Sequence, residues 1–381
     1  MTNNKKTVSV ALLQRIFPHY RAPIFRSLGE RMHTRIFHGK NHSGIPQLIN
    51  QYSEECELQV FFGLSYLPIT IRLMKFNPAV YIHEFSLSLL NLYTVYIISR
   101  LTGKKFVLWG HGYDRAKGFD PDKRISDKIR QYFISKSDAV ILYSDKVALE
   151  LSQRYPSQQF FVARNSIDSD TKRSVYAQLS RIGRKGIKDE TNFPNGLNVC
   201  FVSRLTKNKK IHLLTDFVKI LKAKGVHCTV HIVGDGPELP ALKNIVSALQ
   251  QTDCFRFHGS IYEEELVARI LHASDFMIMP AWLGLSINHS LCYGTPVATL
   301  STELHPPEFE FAEDGINAVV AKSIDELADR VLDIWSNDES YQTMRLNARH
   351  YYESKLSLIN MQAAFSSAIE FVSRKDNLTG R

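Results

Sequence analysis

The stretch His231–Leu239 reads HIVGDGPEL, and the order of its residue types sets the architecture. An apolar run ends at Val233, Gly234-Asp235-Gly236-Pro237 turns the chain, and an amphipathic segment opens at Leu239. Glycines at 234 and 236 permit positive φ and the close approach of another backbone, and Pro237 suits a first helical turn. A strand passing through so tight a turn into a helix is the repeating unit of a parallel α/β sheet. Gly-x-Gly also fits an ordinary tight strand-to-helix turn, and the third glycine of a dinucleotide fingerprint is missing here.

The same alternation extends outward in both directions. Strands are expected at Val199–Val202, Cys228–Val233, Phe276–Met279 and Val297–Leu300. In the first half they are expected at Val8–Leu13, Leu58–Phe61, Ala79–Ile82, Phe106–Trp109, Ala139–Tyr143 and Phe160–Val162. Between them Leu213, Leu214, Phe217, Val218 and Leu221 share one helix face. Strand–helix alternation implies parallel sheets covered on both faces. The 381 residues exceed the roughly 250–300 at which a single core stops growing. The fold class expected is therefore α/β, with two Rossmann-like doubly wound domains facing each other across a cleft at the carboxyl ends of their strands. Arg181–Gly196 (RIGRKGIKDETNFPNG) has linker composition. The expected domains are residues 1–185, residues 196–355 and a C-terminal helix, 356–381, crossing back to the first.

Charge is divided unevenly. Residues 1–190 hold 29 Lys/Arg against 16 Asp/Glu, and residues 191–381 hold 18 against 22. The basic surplus thus lies wholly in the first half, which suits phosphate-bearing partners as readily as a merely soluble surface. A nucleic acid is not expected, because no helix-turn-helix or aromatic-interleaved basic strand is visible. The five cysteines form no Cys-x-x-Cys pair, which argues against a zinc ribbon or a disulfide framework and fits a cytoplasmic chain. Met1-Thr2-Asn3-Asn4-Lys5-Lys6 does not read as a signal peptide, and His83, Glu84 and Asn91 interrupt the longest apolar stretch, Ile82–Ser99.

Five segments carry candidate chemistry. In FVSRLTKNKK, Arg204 and Lys209 follow a strand end, where two cations suit a diphosphate or are simply surface charges. Gly234 and Gly236 belong to the turn already described. In MPAWLGLSINHSLCYGTPV, Gly284, Leu285 and Ser286 fall at the start of an expected helix, whose free amides bind phosphate. His289 lies one turn in, as a ligand contact or a structural histidine. In VLWGHGYD, His111 stands between glycines at a strand's carboxyl end, well placed for a cleft. In HPPEFEFAEDG, Glu308 and Glu310 offer acceptors to sugar hydroxyls or form an acidic loop.

Together these segments resemble the family 4 glycosyltransferases of the GT-B fold over most of residues 198–370, and more faintly in the first half. Arg204-Leu205 with Lys209 resembles that family's diphosphate-holding element. Gly234–Pro237 resembles its strand-end turn, and His258-Gly259-Ser260 with Glu265-Leu266 its nucleobase-facing segment. Tyr293-Gly294-Thr295-Pro296-Val297 resembles the close of its signature, and Asn165-Ser166-Ile167-Asp168 its hinge turn. The family's two signature glutamates would fall at Ala281 and His289. That variant, with Tyr20-Arg21-Ala22-Pro23, resembles a bacterial surface-polysaccharide subgroup with His in place of the second glutamate.

The resemblance implies a metal-independent, retaining hexosyltransferase. Its donor would be a nucleotide-sugar and its acceptor a saccharide or lipid-linked saccharide, in cell-surface polysaccharide or lipopolysaccharide synthesis. His111, Arg204 and Lys209 would take the catalytic roles. Gly234, Gly236, Gly284, Leu285, Ser286, His289 and Glu308 would bind the donor. No metal or other cofactor is expected. The alternative is a catalytically silent nucleotide-sugar-binding relative. Ile24, Phe25, Leu28 and Met32, beside Arg21, Arg26, Arg31 and Arg35, read either as a helix lying on an anionic inner membrane face or as core packing.

Overall fold

The computed structural model describes residues 8–18, 21–40, 51–114, 117–167 and 169–378. The chain divides into two compact units, Met1–Ser166 with Leu358–Arg381, and Ile167–Ser357. In the first unit the strands are β1 Ser9–Ile16, β2 His33–Gly39, β3 Ser53–Cys56, β4 Gln59–Phe61, β5 Leu64–Tyr66, β6 Val80–Glu84, β7 Lys105–Gly110, β8 Ala139–Leu142 and β9 Phe160–Val162. Seven of them form one sheet in the order β3-β2-β1-β6-β7-β8-β9, with every pairing parallel. In the second unit the strands are β10 Leu197–Val202, β11 Cys228–Val233, β12 Phe255–Gly259, β13 Phe276–Ile278, β14 Val297–Leu300 and β15 Ala318–Ala321. They form a six-stranded sheet, β12-β11-β10-β13-β14-β15, again parallel throughout. The α/β class with two parallel, doubly wound sheets is thus observed.

Near-continuous apolar runs build these strands because helices cover both faces of each sheet. Every residue of β8 and β11 is buried. The helix Leu213–Ala223 buries Leu214, Phe217, Val218 and Leu221, the face its 3.6-residue period marks out.

Four readings of the sequence change. Leu58–Phe61 does not join the main sheet. β4 pairs antiparallel with β5 in a separate ribbon whose Val60, Phe61 and Phe62 are exposed. β2, β3, β12 and β15 were not expected. Much of the stretch that reads as linker is helical instead: Ser169–Glu190 is helix, broken at Gly183 (φ 78°), and the two compact units divide between Ser166 and Ile167. The apolar stripe of the helix Ala22–Arg31 is core, not a membrane face. Ile24, Phe25 and Leu28 are buried in one cluster with Met361, Phe365 and Ile369 of the C-terminal helix Leu358–Leu378. The sequence shows the stripe but not what covers it.

Helices of the second unit are tied to its sheet by one buried carboxylate. Asp275 is 1% exposed, accepts the Asn198 amide at 2.7 Å and the Tyr341 hydroxyl at 3.1 Å, and pairs with Arg184. Tyr341 in turn accepts from Arg345 at 3.2 Å. Removing one partner of a buried ion pair strands the other charge, which costs about 3–5 kcal/mol. Asp275→Asn is therefore expected to destabilise the second unit by about 3–5 kcal/mol in urea denaturation. A shift below 1 kcal/mol would show that the network is not a keystone.

Candidate functional site

The order of the second sheet reverses between β10 and β13, and ligands of open α/β sheets bind outside the carboxyl ends of strands at such a point. β10 ends into Ser203-Arg204-Leu205, and β11 ends into Gly234-Asp235-Gly236-Pro237. The Leu205 amide donates to the Asp235 carbonyl at 2.9 Å, and the Glu238 amide to the Leu205 carbonyl at 3.2 Å. That contact excludes side chains at both glycines. A Cβ on Gly234, whose φ is 137°, would stand 2.0 Å from the Ser203 carbonyl oxygen, and one on Gly236 would stand 2.3 Å from that of Leu205. The two loops frame a cavity of about 650 Å³, lined by Val202, Ser203, Arg204, Gly234–Pro237 and Ser260–Tyr262. Arg204 is exposed in it and has no hydrogen-bond or ion-pair partner among the described residues. The arrangement offers a free guanidinium beside a small-residue backbone, suited to an anionic group.

Lys209 is placed differently. It ends the 3₁₀ turn Lys207–Lys209 and is buried. Its Nζ donates to the Trp282 carbonyl at 2.7 Å, and it does not line the cavity beside Arg204. Burial pushes its pKa down to about 8, and the Glu308 carboxylate opposes the fall. Glu308 is itself buried, on the turn Pro307–Phe311. Gly284 and Leu285 precede the seven-residue helix Ser286–Cys292. Their loop is pinned by His305, which accepts the Leu283 amide at Nδ1 (3.0 Å), donates from Nε2 to the Leu300 carbonyl (2.7 Å) and stacks on Phe309.

His289 lies on the second turn of that helix. Its Nδ1 stands 3.3 Å from the Lys172 ammonium and 3.9 Å from Glu264. Burial first, then the Lys172 charge, push its pKa down to about 4. Glu264 pairs with Lys172 and accepts the Tyr293 hydroxyl at 2.6 Å. Burial alone would raise the Glu264 pKa; Lys172 and His289 outweigh it and hold the carboxyl below its usual range.

His111 belongs to the first unit, whose strand order reverses between β1 and β6. A second cavity of about 610 Å³ lies at the carboxyl ends of these strands, lined among others by Arg15, Arg21, Glu84, Trp109, His111 and Tyr143. The His111 ring is 4.8 Å from that of Tyr143. The Arg21 guanidinium sits 4.7 Å over Trp109 and donates to the Tyr143 hydroxyl at 2.8 Å. Arg15 pairs with Glu84 at 3.0 Å. Tyr20 and Asp168, part of the sequence resemblance, lie outside the described residues.

Some site residues escaped the sequence. Tyr262 lines the second unit's cavity and is 92% exposed; the unread strand β12 delivers it. Lys172 and Glu264 reach His289 from helices far away in sequence, and nothing local signals them. Among the described residues no group of three or more His, Cys, Asp or Glu is arranged to hold a metal ion. The triplet Asp120-Pro121-Asp122 lies before the helix Ile125–Lys136, where Asp120 accepts the Lys123 amide at 3.2 Å.

Residues 184–351 match the family model of the glycosyl transferases group 1. A curated relative, the 2-deoxystreptamine glucosyltransferase of Streptomyces kanamyceticus, is 25% identical over 176 residues, 45% of this chain. The match spans only 44% of that relative's length. Among solved structures, Anabaena Alr3699/HepE in complex with UDP superposes with a TM-score of 0.67 at 16% identity, covering 95% of this chain and 99% of that one. A glycosyltransferase from Rickettsia africae gives 0.68 at 16% identity, covering 99% and 100%. The pneumococcal O-GlcNAc transferase GtfA in complex with UDP and GlcNAc gives 0.63 at 11% identity, covering 96% and 99%. At these identities the structural likeness shows the fold.

The Lys209 geometry makes a testable statement about charge. Its ammonium is expected to lose its proton through about pH 8, so the local positive charge is present below that pH and gone above it. Glu308→Gln removes the charge that favours the ammonium and is expected to lower the titration further. NMR titration of reductively ¹³C-methylated protein, with Lys209→Arg to assign the signal, reads both values. An unchanged Lys209 titration in Glu308→Gln would show that the two groups are not coupled.

Proposed function

We infer that this chain is a glycosyltransferase: residues 184–351 belong to the group 1 glycosyl transferases, also called family 4, and the chain has the GT-B fold. It moves a hexose from a nucleotide-sugar, with retention and without a metal ion, to a saccharide or lipid-linked saccharide of cell-surface polysaccharide or lipopolysaccharide synthesis. The observation that carries the donor half is the cavity at the sheet's reversal point, with the unpartnered Arg204 set against Gly234 and Gly236. A guanidinium there stabilises the charge that develops on a departing nucleoside diphosphate. Lys209 supplies a second, buried cation, while Gly284, Leu285, Ser286, His289 and Glu308 complete the donor side. The donor's own phosphate oxygen takes the acceptor proton, so no strong protein base is required. UDP is the nucleotide favoured, since two of the structural neighbours are complexes with it.

The first unit takes the acceptor. Its cavity combines aromatic faces, Trp109 and Tyr143, with His111 and arginines, a lining suited to a sugar. A peripheral position at an anionic inner membrane face is supported by a surface other than the helix Ala22–Arg31. Helices Thr70–Phe76, Asn91–Leu101 and Ile125–Lys136 pack on one core cluster. Outward they present Ile71, Met74, Ile97, Leu101 and Ile125, all more than half exposed. Their charged residues are Arg72, Lys75, Arg100, Lys128, Arg130 and Lys136, with one acid, Asp127, which is buried and paired with Arg124 and Arg130. Arg72 and Arg100 pair with Glu54 and Asp138, while Lys75, Lys128 and Lys136 have no ion-pair partner among the described residues; apolar side chains accompanied by such cations suit anionic lipid. Ala281 and His289, at the positions of the signature glutamates, favour the second reading, a silent nucleotide-sugar-binding relative.

Calorimetric titration with UDP, GDP and ADP in excess EDTA tests the donor half. UDP is expected to bind, and Arg204→Ala to weaken it roughly 10- to 100-fold, as loss of a charge-assisted hydrogen bond does. Binding that requires added metal, or is indifferent to Arg204, would overturn the assignment, and binding without single-turnover sugar transfer would favour the silent relative. For the membrane half, flotation with phosphatidylglycerol vesicles is expected to carry the protein. Ile97→Asp with Leu101→Asp should abolish it, and indifference to anionic vesicles would remove the membrane from the reading.

A further inference from the structure

Lys172 is a charged side chain only 4% exposed, and it stands between two partners, Glu264 and His289. An ammonium has three donors and no acceptor, so toward the Nδ1 of His289 it can only donate. A nitrogen that accepts cannot carry the ring proton. In a neutral imidazole the proton then sits on Nε2. Glu264 pairs with the Lys172 ammonium and is held in turn by the Tyr293 hydroxyl, which donates to it at 2.6 Å. Arg349 lies beyond, pairing with Glu353 and donating to the Cys292 carbonyl, so the remaining charge of this region is already committed. The His289 side chain is 32% exposed, and its Nε2 meets no protein partner among the described residues.

We propose that Lys172 and Glu264 are positioning residues that lock His289 as a neutral imidazole with its proton on Nε2, so that it faces the ligand only as a hydrogen-bond donor. This rests on the reading that a nucleotide-sugar binds in the second unit. The ligand atom opposite His289 is therefore an acceptor oxygen, of a phosphate or of a ribose. A carboxylate at the same position accepts instead of donating, so the substitution of His for a signature glutamate inverts the polarity of the contact. The lock also explains how a histidine serves here with constant charge: burial first, and then Lys172 beside Nδ1, keep a second proton off the ring throughout the neutral range.

Long-range ¹H–¹⁵N correlation spectra of the full chain labelled at histidine test the lock directly, with His289→Gln assigning the signal. In the wild type Nε2 is expected to be pyrrole-like and Nδ1 pyridine-like, without protonation from pH 8 down to 5. Lys172→Met is expected to give mixed tautomers and protonation at higher pH, and Lys172→Arg to restore the wild-type spectrum. The opposite tautomer in the wild type overturns the proposal whether or not the variants fold, as does an unaltered spectrum in folded Lys172→Met. UDP is expected to shift the Nε2–H signal. Its affinity should survive in His289→Gln, which can donate, and fall roughly tenfold in His289→Glu, which cannot. UDP that binds without moving that signal overturns the ligand-facing role. Absence of UDP binding instead overturns the nucleotide reading, and the lock is then decided by the unliganded spectra.

Discussion

The candidate donor site depends on a backbone-to-backbone contact. The loop leaving β10 lies so close to the turn leaving β11 that a single carbon at residue 234 would fall 2.0 Å from the Ser203 carbonyl oxygen. Two amide hydrogen bonds, Leu205 to Asp235 and Glu238 to Leu205, hold the loops in that contact. Leu205 is buried in the core, while its neighbour Arg204 is exposed and lines the cavity. Small residues, rather than charge, thus create the space into which the charge projects.

The two cations of this region carry different electrostatics. Arg204 is exposed to solvent. Lys209 is desolvated beneath the Trp282 carbonyl, and burial brings its pKa to about 8 although Glu308 works against the fall. The Lys172, Glu264 and His289 cluster adds a third arrangement, in which a buried ammonium spends its charge setting the state of a neighbour. All three follow from where burial and carboxylates stand relative to each side chain.

Fold class was legible because apolar runs of strand length alternated with amphipathic helical segments and because Gly234–Pro237 suits a tight turn from a strand into a helix. The failures were also physical. β2, His33–Gly39, alternates with polar residues and sits among arginines, so its run is too broken to recognise. β4 has the composition of a strand but pairs only with β5, because its exposed side chains find no helix to cover them. The Ala22–Arg31 stripe looks the same whether lipid or protein covers it, and the covering helix lies more than 300 residues further along the chain.

The sequence by itself determined what could be read within about one turn of the chain: the α/β alternation, the glycine turn, and the strand-end positions of Arg204, Gly284–Ser286 and His111. These follow from steric permissions and periodicities that are local. Only the tertiary structure decided which of those residues share a cavity, that Lys209 is buried away from Arg204, and that Lys172 and Glu264 meet at His289. Such facts depend on side chains brought together from distant helices, whose burial and mutual charge set protonation state and hydrogen-bond direction, and no local pattern encodes them.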